Sequence, residues 1–101
     1  MAQFDVYENI NEQTKSLVPY LLDVQHDILK NLSTRVVVPL VLNKKSIKNL
    51  TPIFDIKENS FVMNTSQIAG VPIESLGNKV FSLKDKRDEI IGAIDFLITG
   101  F

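Results

Sequence analysis

Apolar residues recur at helical spacing through the last dozen positions of this chain: Ile90, Ile91, Ile94, Leu97, Ile98 and Phe101. They run to the carboxyl end with no polar tail behind them. Terminal residues normally find few partners, so this pattern implies an end that is either buried or presented to another molecule. At about 100° per residue, Leu83 joins the same stripe, whereas Asp85, Asp88, Gly92, Phe96 and Thr99 fall opposite it. Ser82 is a good N-cap and Asp85 stands three residues on, close to the capping-box pattern. Asp85, Asp88 and Glu89 load the first turns with the charge that the helix dipole favours.

Upstream of this helix the pattern is that of short strands. Phe4 to Glu8 alternates apolar and polar, the mark of a half-buried strand. Asn9 to Ser16 is polar and predicts a turn or hairpin tip. Leu17 to Gln25 predicts a second strand, with Pro19 at an edge or bulge because it has no N–H to give a ladder. Lys30 to Ser33 reads as a loop. Arg35 to Val41 is the strongest strand, and its three successive valines suit burial on both faces. Asn43 to Asn49 is a basic, solvated loop. Ile53 to Ile56 and Phe61 to Asn64 predict a hairpin with a four-residue connection, Lys57 to Ser60. Gln67 to Leu76 holds two short extended pieces around Gly70-Val71-Pro72, and Gly77-Asn78 signals a turn. The expected architecture is one domain, residues 1–101, of antiparallel strands with a single C-terminal helix packed against them.

Composition sharpens this picture. The chain has 101 residues, of which 45% are hydrophobic, a rich supply for so small a body. Part of that supply is expected to be covered by a second copy in a two-fold dimer. There is no cysteine, which excludes disulfides and thiolate zinc sites and suits a reducing, cytoplasmic setting. The first residues, Met1 to Glu8, carry no basic region or long apolar stretch and are not expected to be a secretory signal. No segment approaches the roughly 20 apolar residues that cross a bilayer. The formal net charge of -1, with the two signs mixed along the chain, argues against direct nucleic-acid binding through counterion release.

A chemical site is hard to assemble from these residues. His26 is the only histidine, and a surface or hydrogen-bonded role is its simplest reading. No nucleophile elbow, P-loop or dinucleotide-binding glycine pattern occurs. Asp23 and Asp27 are four residues apart but need not face one another in a strand and turn. Arg87 has acidic neighbours and reads as a surface ion pair, while Arg35 opens the valine strand. Lys44, Lys45 and Lys48 lack an interleaved aromatic to stack on bases. No catalytic residue, metal site or cofactor is therefore expected. Phe96 stands apart, since an aromatic opposite the helical stripe either lies under a loop or anchors a partner.

Matching stretches spread from end to end carry a resemblance. They are Gln3-Phe4 with Val6-Tyr7, Asp23-Val24-Gln25 with Asp27-Ile28, Thr34-Arg35 leading into Val37-Val38-Pro39-Leu40, Val71-Pro72, Glu89-Ile90, Ala93-Ile94, and the Gly100 step before the last residue. In order and spacing the chain resembles the CcdB family of bacterial toxins, the poison half of CcdA–CcdB toxin–antitoxin pairs. The resemblance implies an SH3-like barrel with a C-terminal helix and a symmetric homodimer. It also implies a non-enzymatic action, in which the dimer wedges between the A subunits of DNA gyrase and blocks resealing of cleaved DNA. Carried onto this chain, the implied gyrase contacts are Asp95, Ile98, Thr99, Gly100 and Phe101, with the turn His26, Asp27, Ile28 and Leu29 beside them. A CcdA-like antitoxin is the second implied partner, on a groove near Tyr7, Leu22, His26 and Phe96. The best-known members close on Trp-Gly-aliphatic, whereas this chain has Thr99-Gly100-Phe101, without the area and cation–π reach of a tryptophan.

Two alternatives accompany that reading. MazF-type endoribonuclease toxins share the implied architecture, and fold alone does not choose between activities. Here Arg35 with Thr34 is the only candidate for such chemistry. The other alternative is a non-toxic homologue that binds only the antitoxin.

Overall fold

The alternating and β-branched stretches become seven strands, and the acidic-to-apolar segment at the end becomes a helix. The computed structural model describes residues 1–42 and 44–100. The strands are β1 (Asp5–Asn9), β2 (Tyr20–Asp23), β3 (Thr34–Leu42), β4 (Ile53–Ile56), β5 (Asn59–Met63), β6 (Ala69–Pro72) and β7 (Leu76–Ser82), followed by helix α1 (Arg87–Thr99).

All pairings are antiparallel, in the order β4-β5-β3-β2-β1-β7. The long strand β3 organises the sheet. One edge takes β2 along Val37 to Leu40; the other takes β6 at Thr34 to Val37 and β5 at Leu40 to Leu42. Because β4 and β7 end the path, the sheet is a half-barrel, open between those strands. Its concave side holds the core of Phe4, Val6, Leu22, Val38, Leu40 and Met63, onto which Leu83, Ile90 and Ala93 close from the helical segment.

Several local expectations are corrected. β2 is shorter than Leu17 to Gln25, and Pro19 lies outside it, accepting a hydrogen bond from the Asn9 N–H. Burial of β3 on both faces holds only near its centre; Val36 remains 36% exposed. The β4–β5 connection is two residues, not four: Lys57 and Glu58 both take positive φ, 50° and 73°, and Asn59 and Ser60 already pair with β4. Gln67 to Leu76 supplies one strand, β6, between two short turns, rather than two extended pieces. Gly77-Asn78 is not a turn but part of β7. A Cβ at Gly77 would meet Ile10 Cγ2 at 2.9 Å and Glu8 Cβ at 3.0 Å, so glycine here serves close approach of β7 to β1.

The helix also begins later than its acidic residues imply. Lys84–Lys86 forms a 3₁₀ turn, and Ser82 Oγ accepts from the Lys84 N–H at 3.4 Å rather than capping α1. At the other end Gly100 takes φ +79° and donates its N–H to the Phe96 carbonyl at 2.9 Å, closing the helix in the left-handed conformation that suits glycine. The buried face is Ile90 and Ala93, with Ile91 and Ile94 partly covered. The stripe leaves the core in the last turn, where Leu97 is 37% and Ile98 75% exposed.

Candidate functional site

Two exposed apolar features stand out, each on a short, well-defined element. The first is the 3₁₀ turn Asp27–Leu29, between β2 and β3. Its Ile28 is 80% exposed, the highest value among the exposed large hydrophobics, and Leu29 is 48% exposed. The second is the end of α1, where Ile98 projects beside Asp95 and Thr99, and Thr99 Oγ1 donates to the Asp95 carbonyl at 2.7 Å. Scattered exposed apolar residues are ordinary; apolar side chains crowded onto one short turn favour a partner. Phe101 lies outside the described residues.

Local bonds fix the turn. His26 is its N-cap, with Nδ1 accepting from the Ile28 N–H at 3.0 Å. The single histidine thus caps the turn on which the exposed Ile28 stands. Asp27 Oδ1 accepts from the Gln3 N–H at 2.8 Å, tying the turn to the start of the chain. Gln25 reaches across the loop: its Nε2 donates to the Leu29 carbonyl at 2.9 Å and its Oε1 accepts from the Val36 N–H at 3.0 Å.

Behind the turn lies a buried ion pair. Arg35 Nε and Nη2 donate to Asp23 Oδ2 at 2.8 and 2.7 Å, and the remaining oxygen, Oδ1, accepts from the Gln25 N–H at 3.0 Å. Burial pushes the Asp23 carboxyl above its ordinary range, against the pull of Arg35 and the Gln25 N–H, which favour its charged form. A second polar group sits beside it. Tyr7 Oη donates to Asp5 Oδ2 at 3.2 Å, and Lys79 Nζ lies 3.2 Å from Asp5 Oδ1. Burial, with the neighbouring Asp5 charge, pushes the Tyr7 phenol up to about 12.

These placements revise the expected partner residues. Tyr7 is 5% and Leu22 0% exposed, so both belong to the interior and neither offers a groove wall to an antitoxin. The reason is register: Val6 pairs with Leu22 and Tyr7 with Leu21 in the middle of the sheet. Phe96 is partly covered; with Ile47, Pro52 and Ala93 it lines a groove of about 530 Å³ between α1 and the 46–52 loop. A second, more open cleft of about 720 Å³ runs between the β1–β2 connection and Val71 to Ser75, with Leu21 and Pro39 at its base.

Arg35, the candidate for ribonuclease chemistry, is 1% exposed and committed to Asp23, while neighbouring Thr34 is exposed. The Asp23–Arg35–Gln25 group was not legible as a unit. Its one signal is the placing of an acid and a base inside two apolar strands that turn out to be neighbours. Among the described residues no cluster of three or more His, Cys, Asp or Glu is placed to hold a metal ion, and no helix is long and apolar enough to cross a membrane.

The molecule is a seven-stranded half-barrel closed by one C-terminal helix, with an apolar turn and an apolar helix end held outward. Its fold is similar to that of a solved endoribonuclease in complex with its cognate antitoxin from Mycobacterial species, with a TM-score of 0.78 over 97% of this chain and 94% of that one. At 15% identity the likeness is one of fold. The sequence itself is more specific: the family described as CcdB protein matches residues 3–100, and the chain belongs to that family. It is accordingly a toxin of the toxin–antitoxin kind, with an antitoxin as partner.

Proposed function

We propose that this chain acts as a homodimer in the cytoplasm, binds the A subunit of DNA gyrase, and holds the enzyme in its cleaved-DNA state until a CcdA-like antitoxin removes it. The observation that carries this reading is the outward display of Ile28 and Ile98, 80% and 75% exposed, on a chain of the CcdB family. The gyrase-facing residues are His26, Ile28 and Leu29 on the turn, and Asp95, Ile98, Thr99 and Gly100, with Phe101 beyond them, at the helix end. His26 and Phe96 are also assigned to the antitoxin surface.

The mechanism needs no bond chemistry on the toxin. A ligand shifts an equilibrium by its differential affinity for two states. A wedge that fits only the opened gate lengthens the life of broken DNA. Apolar anchors suit this task, because their burial on docking contributes roughly 25 cal/mol per Å² before ordering costs.

The ribonuclease alternative has Arg35 with Thr34 as its candidate, and the placing of the arginine weighs against it. Arg35 is buried and bonded to Asp23, so it cannot reach a ribose phosphate without breaking the core. Supercoiled plasmid, gyrase and purified protein decide the matter: linear DNA after denaturation of gyrase is expected, and its absence at saturating protein rejects the proposal. RNA cleavage abolished by Arg35→Ala would favour the alternative. Continued growth on expression without antitoxin would identify a binder of the antitoxin alone.

A further inference from the structure

The turn Asp27–Leu29 contains no buried residue, so packing does not hold its shape. Polar contacts must do so. Two of them, His26 Nδ1 with the Ile28 N–H and Asp27 Oδ1 with the Gln3 N–H, are exposed, where water competes for each group. The contact from Gln25 Nε2 to the Leu29 carbonyl is different, because Gln25 is only 4% exposed.

All four polar groups of Gln25 are engaged. Its N–H donates to Asp23 Oδ1 at 3.0 Å and its carbonyl accepts from Arg35 Nη2 at 3.4 Å. Its side-chain amide spans the loop from the Leu29 carbonyl to the Val36 N–H. The orientation of that amide is dictated by its partners, since one can only accept and the other can only donate. Asp23, in β2, and Arg35, in β3, anchor the residue to the sheet from both sides.

We propose that Gln25 is the positioning residue for the docking turn. It clamps the loop so that Ile28 and Leu29 face outward in one conformation before any partner arrives, and the Asp23–Arg35 pair is the base of the clamp. This inference rests on the gyrase-binding reading of Ile28 and Leu29. Its physical value is preorganisation: a turn already ordered in the free protein loses less freedom on binding. Removal of the clamp should leave the apolar contact atoms present but weaken docking about tenfold, the order expected when one or two hydrogen bonds no longer order the loop.

The test compares wild-type protein with Gln25→Met by amide exchange and by titration of the gyrase A dimerisation fragment. The Leu29 and Lys30 amides, which donate to the His26 and Asp27 carbonyls, are the reporters of the turn. Gln25→Met is expected to exchange faster at these two amides, with Val6 and Leu22 in the sheet unchanged, and to bind about tenfold more weakly. Unchanged exchange at Leu29 and Lys30, or a loosened turn with undiminished affinity, overturns the inference. If the variant fails to fold, backbone order parameters of the wild-type protein decide. Values at Ile28 and Leu29 near 0.85 support the clamp, and values below about 0.6 overturn it. Wild-type protein that does not bind the fragment overturns the gyrase reading and the docking role with it; intact exchange protection then assigns the failure to the surface, not to the clamp.

Discussion

Arg35 Nη2 lies 2.7 Å from Asp23 Oδ2, and neither side chain is more than 1% exposed. The pair joins adjacent strands, and Asp23 also receives the N–H of Gln25. Removing one partner leaves an uncompensated buried charge, which typically costs about 3–5 kcal/mol. Arg35→Met is therefore expected to lower the unfolding free energy by that amount, measured by urea titration. The double variant Asp23→Leu/Arg35→Met should recover only part of the loss. It removes both charges, but it also strips the Gln25 N–H and carbonyl of their partners. Full recovery would show that the pair does not organise the loop.

The β4–β5 connection offers the opposite case, a place where stability can be gained. Lys57 and Glu58 both sit at positive φ, where residues with a Cβ are strained by about 1–2 kcal/mol. Two-residue hairpins with both central residues left-handed favour Asn-Gly. Replacing Lys57-Glu58 by Asn-Gly should raise stability by about 1 kcal/mol, offset in part by the greater freedom of glycine in the unfolded chain. An unchanged or lower denaturation midpoint would contradict this account. The hairpin itself was legible in the sequence, but its tip was not. Asn59 and Ser60 read as loop because they are polar, yet they are the exposed ladder partners of Ile56 and Asp55.

Gly77 shows the same difficulty from the other side. Beside Asn78 it signals a turn, but it lies in β7 because β1 passes too close for a side chain. Local sequence cannot distinguish a glycine that bends the chain from one that admits a neighbour, since the neighbour is distant in sequence. Gly77→Ala should cost about 1–3 kcal/mol by overpacking against Glu8 and Ile10. Gly92→Ala, with nothing within 4 Å of its new Cβ, is the control and should stabilise the helix by up to about 1 kcal/mol. Equal effects at the two positions would remove the steric explanation.

The apolar stripe of α1 divides by burial in a way periodicity could not reveal. Ile90 and Ile98 belong to the same helical stripe, yet Ile90 is 0% and Ile98 75% exposed, because the sheet supports α1 only over its earlier turns. Ile98→Ser and Ile28→Ser should each change stability by no more than about 0.5 kcal/mol. Each should nevertheless weaken binding to the gyrase A fragment at least tenfold, as loss of a central apolar anchor does. Calorimetric titration beside urea unfolding separates the two effects. A variant that loses stability in proportion to its binding would return these residues to a structural role.

Tyr7 was expected in a half-buried strand beside an antitoxin groove, and its burial makes it a probe of the interior. The phenol is pushed from 10.0 up to about 12, first by burial and then by the charge of Asp5, to which it donates a hydrogen bond. The linkage has a definite sign. Between pH 10 and pH 12 the unfolded chain releases this proton more readily than the folded one, so deprotonation favours unfolding. The contribution of Tyr7 is intact below pH 10 and is lost as pH rises through the folded value. In a Tyr20→Phe background Tyr7 is the sole tyrosine, and its ultraviolet titration should centre near 12. Tyr7→Phe is less stable at neutral pH through the lost bond to Asp5, but its stability should fall less steeply across the alkaline range. An ordinary midpoint near 10 for the folded protein would mean that the phenol reaches solvent, and that the inner wall formed by Tyr7 and Asp5 opens more readily than its packing implies.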